Sequence, residues 1–269
     1  MIGLLVIPGA YLTLSRLKSW PERISWILIN PALIFYLCYG FTDNSLLSTA
    51  FIFLLTFMSW QSAYEVGYLV NDFITVRTES APNIRVRGEI GQEIEARFWA
   101  LIAAKAFVSV FLLLACWFYL RENALVFRFN VLLCGVVLSQ VFFFAHNTIR
   151  SRANIITYFC LCMTKYLTLP LSFYFGSRFL LFIVGVFLIF PLLRVFEHAS
   201  KPKYDIKTIS ALYRQLGKAR ALYYVFIFFL FASLVIFKPY MEFKVFFFAS
   251  GFMFLYRFLV WLRYDFPLR

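Results

Sequence analysis

Glu65, Asp72 and Glu79 follow one another at intervals of seven residues, and Arg85 and Arg87 come soon after the last of them. Seven residues make two helical turns, so on a continuous helix the three carboxylates share one stripe. Carboxylates that converge beside arginines suit a magnesium-bound phosphate ester. Mg2+ takes one or two carboxylates and fills its other positions with water and phosphate oxygens, while guanidinium forks match phosphate oxygens in pairs. The same charges also suit a solvated loop that stops transfer at a membrane surface, and Glu65 also suits a structural partner for a lysine. Deep in an apolar run, Glu65 costs about 2 kcal/mol or more unless it faces water or a partner.

The chain that must position these groups is apolar almost throughout. Of its 269 residues 62% are hydrophobic and only 14% charged, which is the composition of a polytopic membrane protein. Eight runs approach the length, about 20 residues, that crosses a hydrocarbon core. They lie at 25–41, 48–70, 97–119, 127–147, 154–176, 178–196, 219–237 and 241–262. The expected fold is an all-α transmembrane bundle of about eight or nine helices, with 1–269 as a single domain and a polar cavity facing the cytoplasm. Residues 1–14 are too short to span and carry Pro8, so they are expected as an interfacial or re-entrant segment, or a partial ninth helix. They lack the basic start and small-residue cleavage site of a signal peptide.

Eight spans place both termini on one side, and that side holds about 18 Lys and Arg against about five on the other, which marks it as cytoplasmic. Positive-inside topology and attraction to anionic lipid account for the net charge of +13, so no nucleic-acid partner is called for. The five cysteines all fall inside expected spans and read as small apolar packing residues.

The segment "NDFITVRTESAPNIRVRGEI" resembles the first signature of the UbiA superfamily of intramembrane transferases, N-D-x-x-D-x-x-x-D followed by an arginine-bearing loop and a new helix. Asn71, Asp72 and Glu79 fall on three of its four positions, the last as Glu for Asp, while Thr75 stands where the second acid is usual. Pro82, Arg85 and Arg87 reproduce the P-x-x-R-x-R pattern of the bacterial decaprenyl-phosphate phosphoribosyltransferase branch, offset by one residue. At the second signature the chain reads "LLRVFEHASKPKYD", where Arg194 and Glu197 form an R-x-x-E pair similar to the K-R-x-x-E of that branch and only Asp205 adds a second acid.

The resemblance implies magnesium-dependent transfer of a phosphoribosyl group from phosphoribosyl pyrophosphate to a polyprenyl phosphate lipid in a bacterial inner membrane. It implies Asp72, Glu79 and Glu65 as metal ligands, with Asn71, Asp72 and Glu197 as catalytic residues. Arg85, Arg87 and Arg194 would take the donor phosphates, and Lys165, Arg150 and Arg152 the lipid phosphate. Tyr68, with Tyr64 and Trp60, would form either an aromatic wall of the site or ordinary packing. A prenyltransferase acting on an aromatic acceptor stands as the alternative, although a site poor in acids and rich in arginines suits an anomeric diphosphate better than an allylic one. A transporter or an inactive scaffold would bury the same charges. Lys165, about eleven residues inside its span, faces a cavity or pairs with Glu65 or Glu197; Lys105 is expected to snorkel to the membrane edge. His146 and His198 read as packing or hydration residues, and the basic stretch 201–220 as a membrane-surface face or a substrate lid.

Overall fold

A computed structural model describes residues 2–78, 84–149 and 151–264. The described residues are helical with short connections, and seven helices are long and apolar enough to cross a membrane, or eight if one bent pair counts as a span. They comprise α1 Ala10–Ser15, α2 Trp20–Ile27, α3 Leu33–Gly40, α4 Leu46–Phe73, α5 Gly88–Ala96, α6 Phe98–Asn123, α7 Phe129–Thr148, α8 Asn154–Phe173, α9 Phe179–Ile189, α10 Pro191–Ala199, α11 Lys207–Arg214, α12 Leu216–Phe237 and α13 Met241–Tyr264. On α6 the large apolar side chains Phe107, Phe111, Leu114 and Phe118 recur at helical spacing and stay exposed, as a lipid-facing surface requires.

The chain divides into two compact units. One comprises 1–148 with 168–174, the other 149–167 with 175–269. In the first unit α4 is central and packs against both α6 and α7. It begins at Ser45, whose side chain accepts the Ser48 N–H, and small polar residues let its neighbour come close: Ser59 donates to the Ser109 carbonyl at 2.8 Å and Ser62 to that of Lys105 at 2.9 Å. The first span is interrupted where Pro31 removes a backbone donor, and the helix widens into a π-turn over Leu28–Ala32 that joins α2 to α3.

The N-terminal segment folds inward, through a 3-10 turn at Ile2–Val6 and then α1, and its Leu5 and Tyr11 enter a core with Leu69, Ile94, Phe98 and Leu101. The α4 helix stops at Phe73, where the chain passes into a 3-10 turn, so a continuous carboxylate stripe does not extend to Glu79. Glu79 and Pro82 lie outside the described residues, as does Arg150.

In the second unit α12 and α13 pack along each other, and α9 closes on α13 at Gly185, where a Cβ would meet the Phe246 ring at 2.1 Å. A bend of 44° separates α9 from α10. Pro191 opens α10 and brings no N–H, so the last carbonyls of α9 lose helical donors. Hydroxyls from α12 replace them: Tyr223 donates to the Leu188 carbonyl and Tyr224 to that of Ile189 at 2.8 Å. The hydroxyls lower the cost of the break in an apolar setting, and the break sets the direction in which α10 presents Arg194 and Glu197.

Close approach also governs the first unit. A Cβ at Gly67 would lie 2.4 Å from the Phe143 ring. Gly67→Val should therefore lower stability by about 1–3 kcal/mol through overpacking, read as a fall in the thermal midpoint of the detergent-purified chain. Gly3→Val, with open space around it, should leave the midpoint in place. Equal midpoints for the two variants would contradict this packing.

Candidate functional site

Glu65 sits eight residues before the end of α4 and is fully buried, as is Lys105 on α6. The Lys105 ammonium bonds Glu65 Oε2, and the Leu12 backbone N–H donates to Oε1 at 2.7 Å. Lys105 also donates to the Ile7 carbonyl at 3.3 Å. Lys105 does not snorkel, because its counter-ion lies on the neighbouring helix and the N-terminal segment seals both from water. Both carboxylate oxygens of Glu65 are engaged by donors, so the geometry presents the structural pairing with a lysine and offers no ligand to a metal. The cation at Glu65 is Lys105, not Lys165.

Asp72 lies two turns further on, buried but near the end of the helix. Arg16 grips it with a two-pronged contact, Nη1 to Oδ2 at 2.8 Å and Nη2 to Oδ1 at 2.9 Å, and the Tyr11 hydroxyl donates to Oδ2 at 2.7 Å. Arg85 Nε stands 3.6 Å from Oδ1, and the Asn71 side-chain amide donates to the same oxygen at 3.0 Å. The Arg16 guanidinium lies 3.7 Å over the Tyr68 ring, so the aromatic wall of Tyr64, Tyr68 and Phe143 carries a cation on its face. Burial, then the charge of Asp72, pushes the Tyr11 phenol above its ordinary range, so it remains a donor at any physiological pH. Thr75, in the place of an acid, turns its hydroxyl back to the Asn71 carbonyl at 3.1 Å and closes the end of α4.

Beyond Asp72 a cavity of about 330 Å³ opens between the end of α4 and the start of α5. Asp72, Arg77, Arg87, Gln92 and Glu95 contribute its polar groups, and Gly88 and Gly91 bare the α5 backbone to it. Its size falls within the roughly 300–1,000 Å³ of small-molecule sites. Arg77 pairs with Glu95, while Arg85 is oriented by Asp72 and Arg87 is exposed at the start of α5.

In the second unit Glu197 is held between two arginines. Arg220 Nε donates at 2.6 Å to Oε1 and Nη2 at 3.1 Å to Oε2, and Arg194 Nη1 reaches Oε2 at 3.2 Å. Next to Glu197 on α10, His198 is buried and central to a polar network that reading it as a packing or hydration residue missed. Its Nε2 is 3.1 Å from Asn154 Oδ1, Lys201 Nζ is 3.2 Å from Nδ1, and the Tyr158 ring stacks on it at 4.0 Å. Tyr204 donates to Asn154 Oδ1 at 2.6 Å, completing the network. Arg152 donates to the Tyr204 carbonyl at 3.0 Å and that of Asp205 at 3.3 Å, which anchors the turn at Pro202–Tyr204. Lys165 is half-buried, its ammonium 5.2 Å from the Tyr166 ring centre.

Among the described residues, which do not include Glu79, no ligand set for the magnesium that the resemblance implies is assembled. Among the described residues no three His, Cys, Asp or Glu side chains gather to hold a metal. The oxygens of Glu65 and Asp72 face ammonium, guanidinium, phenol and amide donors, which occupy the positions a cation would need. Each acid is thus a counter-ion, and the sequence signal for that, an arginine at 16 and a lysine at 105, was too distant along the chain to be matched by spacing.

The buried ion pairs and the lipid-facing apolar surface together define a multi-pass helical membrane protein. Comparison with protein-family models, curated proteins and solved structures returned no match to this chain.

The Glu65–Lys105 pair yields a signed prediction. Lys105→Met leaves a buried carboxylate uncompensated and should cost about 3–5 kcal/mol, whereas adding Glu65→Gln should recover most of that loss. Thermal unfolding of the two variants checks it, and a single variant as stable as wild type would contradict the pairing.

Proposed function

We propose that this chain is an intramembrane transferase that moves a phosphoribosyl group from phosphoribosyl pyrophosphate to a polyprenyl phosphate, at the cytoplasmic face of a bacterial inner membrane. The observation that carries the reading is the cavity at the end of α4, where the residues of the acid-and-arginine motif meet: Asp72 and Arg87 line it, and Arg85 stands at Asp72. The motif's resemblance to the phosphoribosyltransferase branch of the UbiA superfamily supports the donor.

In this reading Arg85 and Arg87 take the donor's phosphate oxygens, with guanidinium forks that suit a diphosphate. Asp72 acts through the arginines: it holds Arg16 in a two-pronged pair and fixes Arg85 beside the cavity. An acceptor phosphate oxygen attacks the anomeric carbon of the ribose, forming a C–O bond as the bond from that carbon to pyrophosphate breaks, and its electron pair leaves with the pyrophosphate. The acceptor is already ionised at neutral pH, so no general base is needed. Positive charge beside the departing pyrophosphate stabilises it as the bond breaks.

Purified chain in detergent, given donor labelled in the ribose and a polyprenyl phosphate, should produce labelled lipid extractable into organic solvent, both with and without added magnesium tested in parallel. Arg87→Gln should raise the apparent KM for the donor about tenfold or more, the worth of one charge-assisted hydrogen bond. Asp72→Asn should reduce kcat/KM by a similar factor while the chain still folds. Consumption of a prenyl diphosphate with an aromatic acceptor, and none of the sugar donor, would replace this reading with the prenyltransferase one.

A further inference from the structure

Arg257, on α13, is only 7% exposed, and its Nε has no hydrogen-bond partner among the described residues. It belongs to the second unit and lies within electrostatic reach of Glu197, Arg194 and Arg220. Arg194 on α10 and Arg220 on α12 pair with Glu197, and Arg257 on α13, which packs along α12, acts on the same carboxylate through space. Glu197 is already saturated, gripped at both oxygens by Arg220 and at Oε2 by Arg194. Among the described residues the cluster carries two positive charges more than it neutralises.

Arginine does not lose its proton inside proteins, so the imbalance cannot be relieved by titration as it could with lysine. An uncompensated ion in a low-dielectric interior costs several kcal/mol. A packing role would be served better by methionine or leucine. The cluster is also open on one side: the side chains of Arg194 and Arg220 are 32% and 27% accessible, against 12% for Glu197.

We propose that Arg194, Arg220 and Arg257 form a binding site for a phosphate group that carries at least two negative charges, either a phosphate monoester or a diphosphate. The two negative charges of a monoester match the excess and a diphosphate more than covers it, and phosphate oxygens accept in the paired geometry that guanidinium forks supply. Glu197 positions Arg194 and Arg220 so that their remaining N–H groups are free to point at the ligand. The group can come from two sources, a lipid phosphate headgroup or a water-soluble diphosphate. The site stands on the charge count and on the buried Arg257, whose Nε lacks a hydrogen-bond partner among the described residues and whose guanidinium meets only the edge of a cation–π contact, 5.3 Å from the Tyr256 ring centre, and rests on the transferase reading only for which of these it meets.

The test is binding, not turnover, on the full-length chain in detergent. Inorganic pyrophosphate should raise the thermal midpoint in a concentration-dependent manner, and geranyl phosphate should do the same if a lipid headgroup is accepted, with geraniol as the uncharged control. Arg257→Met should weaken the apparent affinity for the phosphate probe at least tenfold, yet leave the ligand-free midpoint equal or higher, because a stranded charge has been removed. A purely structural role gives the opposite pattern, a lower ligand-free midpoint with ligand protection intact, and that would overturn the proposal. Arg257→Lys, which keeps the charge and loses the fork, should retain part of the protection and serves if the methionine variant fails to fold. No protection of wild type by either phosphate probe also overturns it. Protection dependent on Arg257 in a chain that transfers no phosphoribose would refute the transferase reading and leave the site standing, and transfer undiminished in Arg257→Met with unchanged affinity would do the reverse.

Discussion

Charge in an apolar interior must be answered by opposite charge, and α4 shows how much structure that rule organises. A helix long enough to cross a membrane carries two buried carboxylates two turns apart, Glu65 and Asp72. Each is answered by a cation from a different element: Lys105 from α6, and Arg16 from the chain just after α1. The N-terminal segment is drawn into the first unit by these contacts, since the Leu12 N–H caps Glu65 and the Tyr11 hydroxyl caps Asp72. Apolar packing of Leu5 and Tyr11 against Leu69 and Phe98 then seals the pairs from water. Energetically the pairs need not stabilise the fold over a hydrophobic alternative; they specify which surfaces meet, because removing one partner is far costlier than removing both.

The second unit applies the same rule and leaves a remainder. Glu197 balances one of three guanidiniums, and the helix break at Pro191 that orients it is itself made tolerable by two tyrosine hydroxyls from α12. Where the first unit closes its charges, the second keeps an excess, and an excess of fixed positive charge is a chemical preference for anions. A chain with 26 Lys and Arg against 13 Asp and Glu must place many cations at membrane surfaces for topological reasons alone. Arg257 is distinguished from those by burial: a surface cation is satisfied by water, and this one is shut away from it.

Much of the helical framework could be read directly from the sequence, because the length and apolarity of a span are local properties. The expected runs at 48–70, 97–119 and 127–147 correspond to α4, α6 and α7, and the run at 178–196 corresponds to the bent pair α9 and α10, whose break falls at a proline. Glu65 and Asp72 also fall on one helix as their spacing required. The role of each carboxylate was not legible, since a carboxylate that holds a metal and one that holds an arginine have the same identity and the same spacing. Thr75 looked like a lost ligand, and its hydroxyl instead closes the helix end.

What the sequence determined by itself was the solvent and the framework: an apolar, helical, multi-pass chain with its charges concentrated at a few places. Only the tertiary structure decided which charges meet. Arg16 and Asp72 are 56 positions apart, Glu65 and Lys105 are 40, and Arg257 is remote from Glu197. Counter-ions are chosen by the distance between side chains in space, and in a helical bundle that distance is set by which helices pack together and in what rotation, neither of which is written in the local hydrophobic pattern.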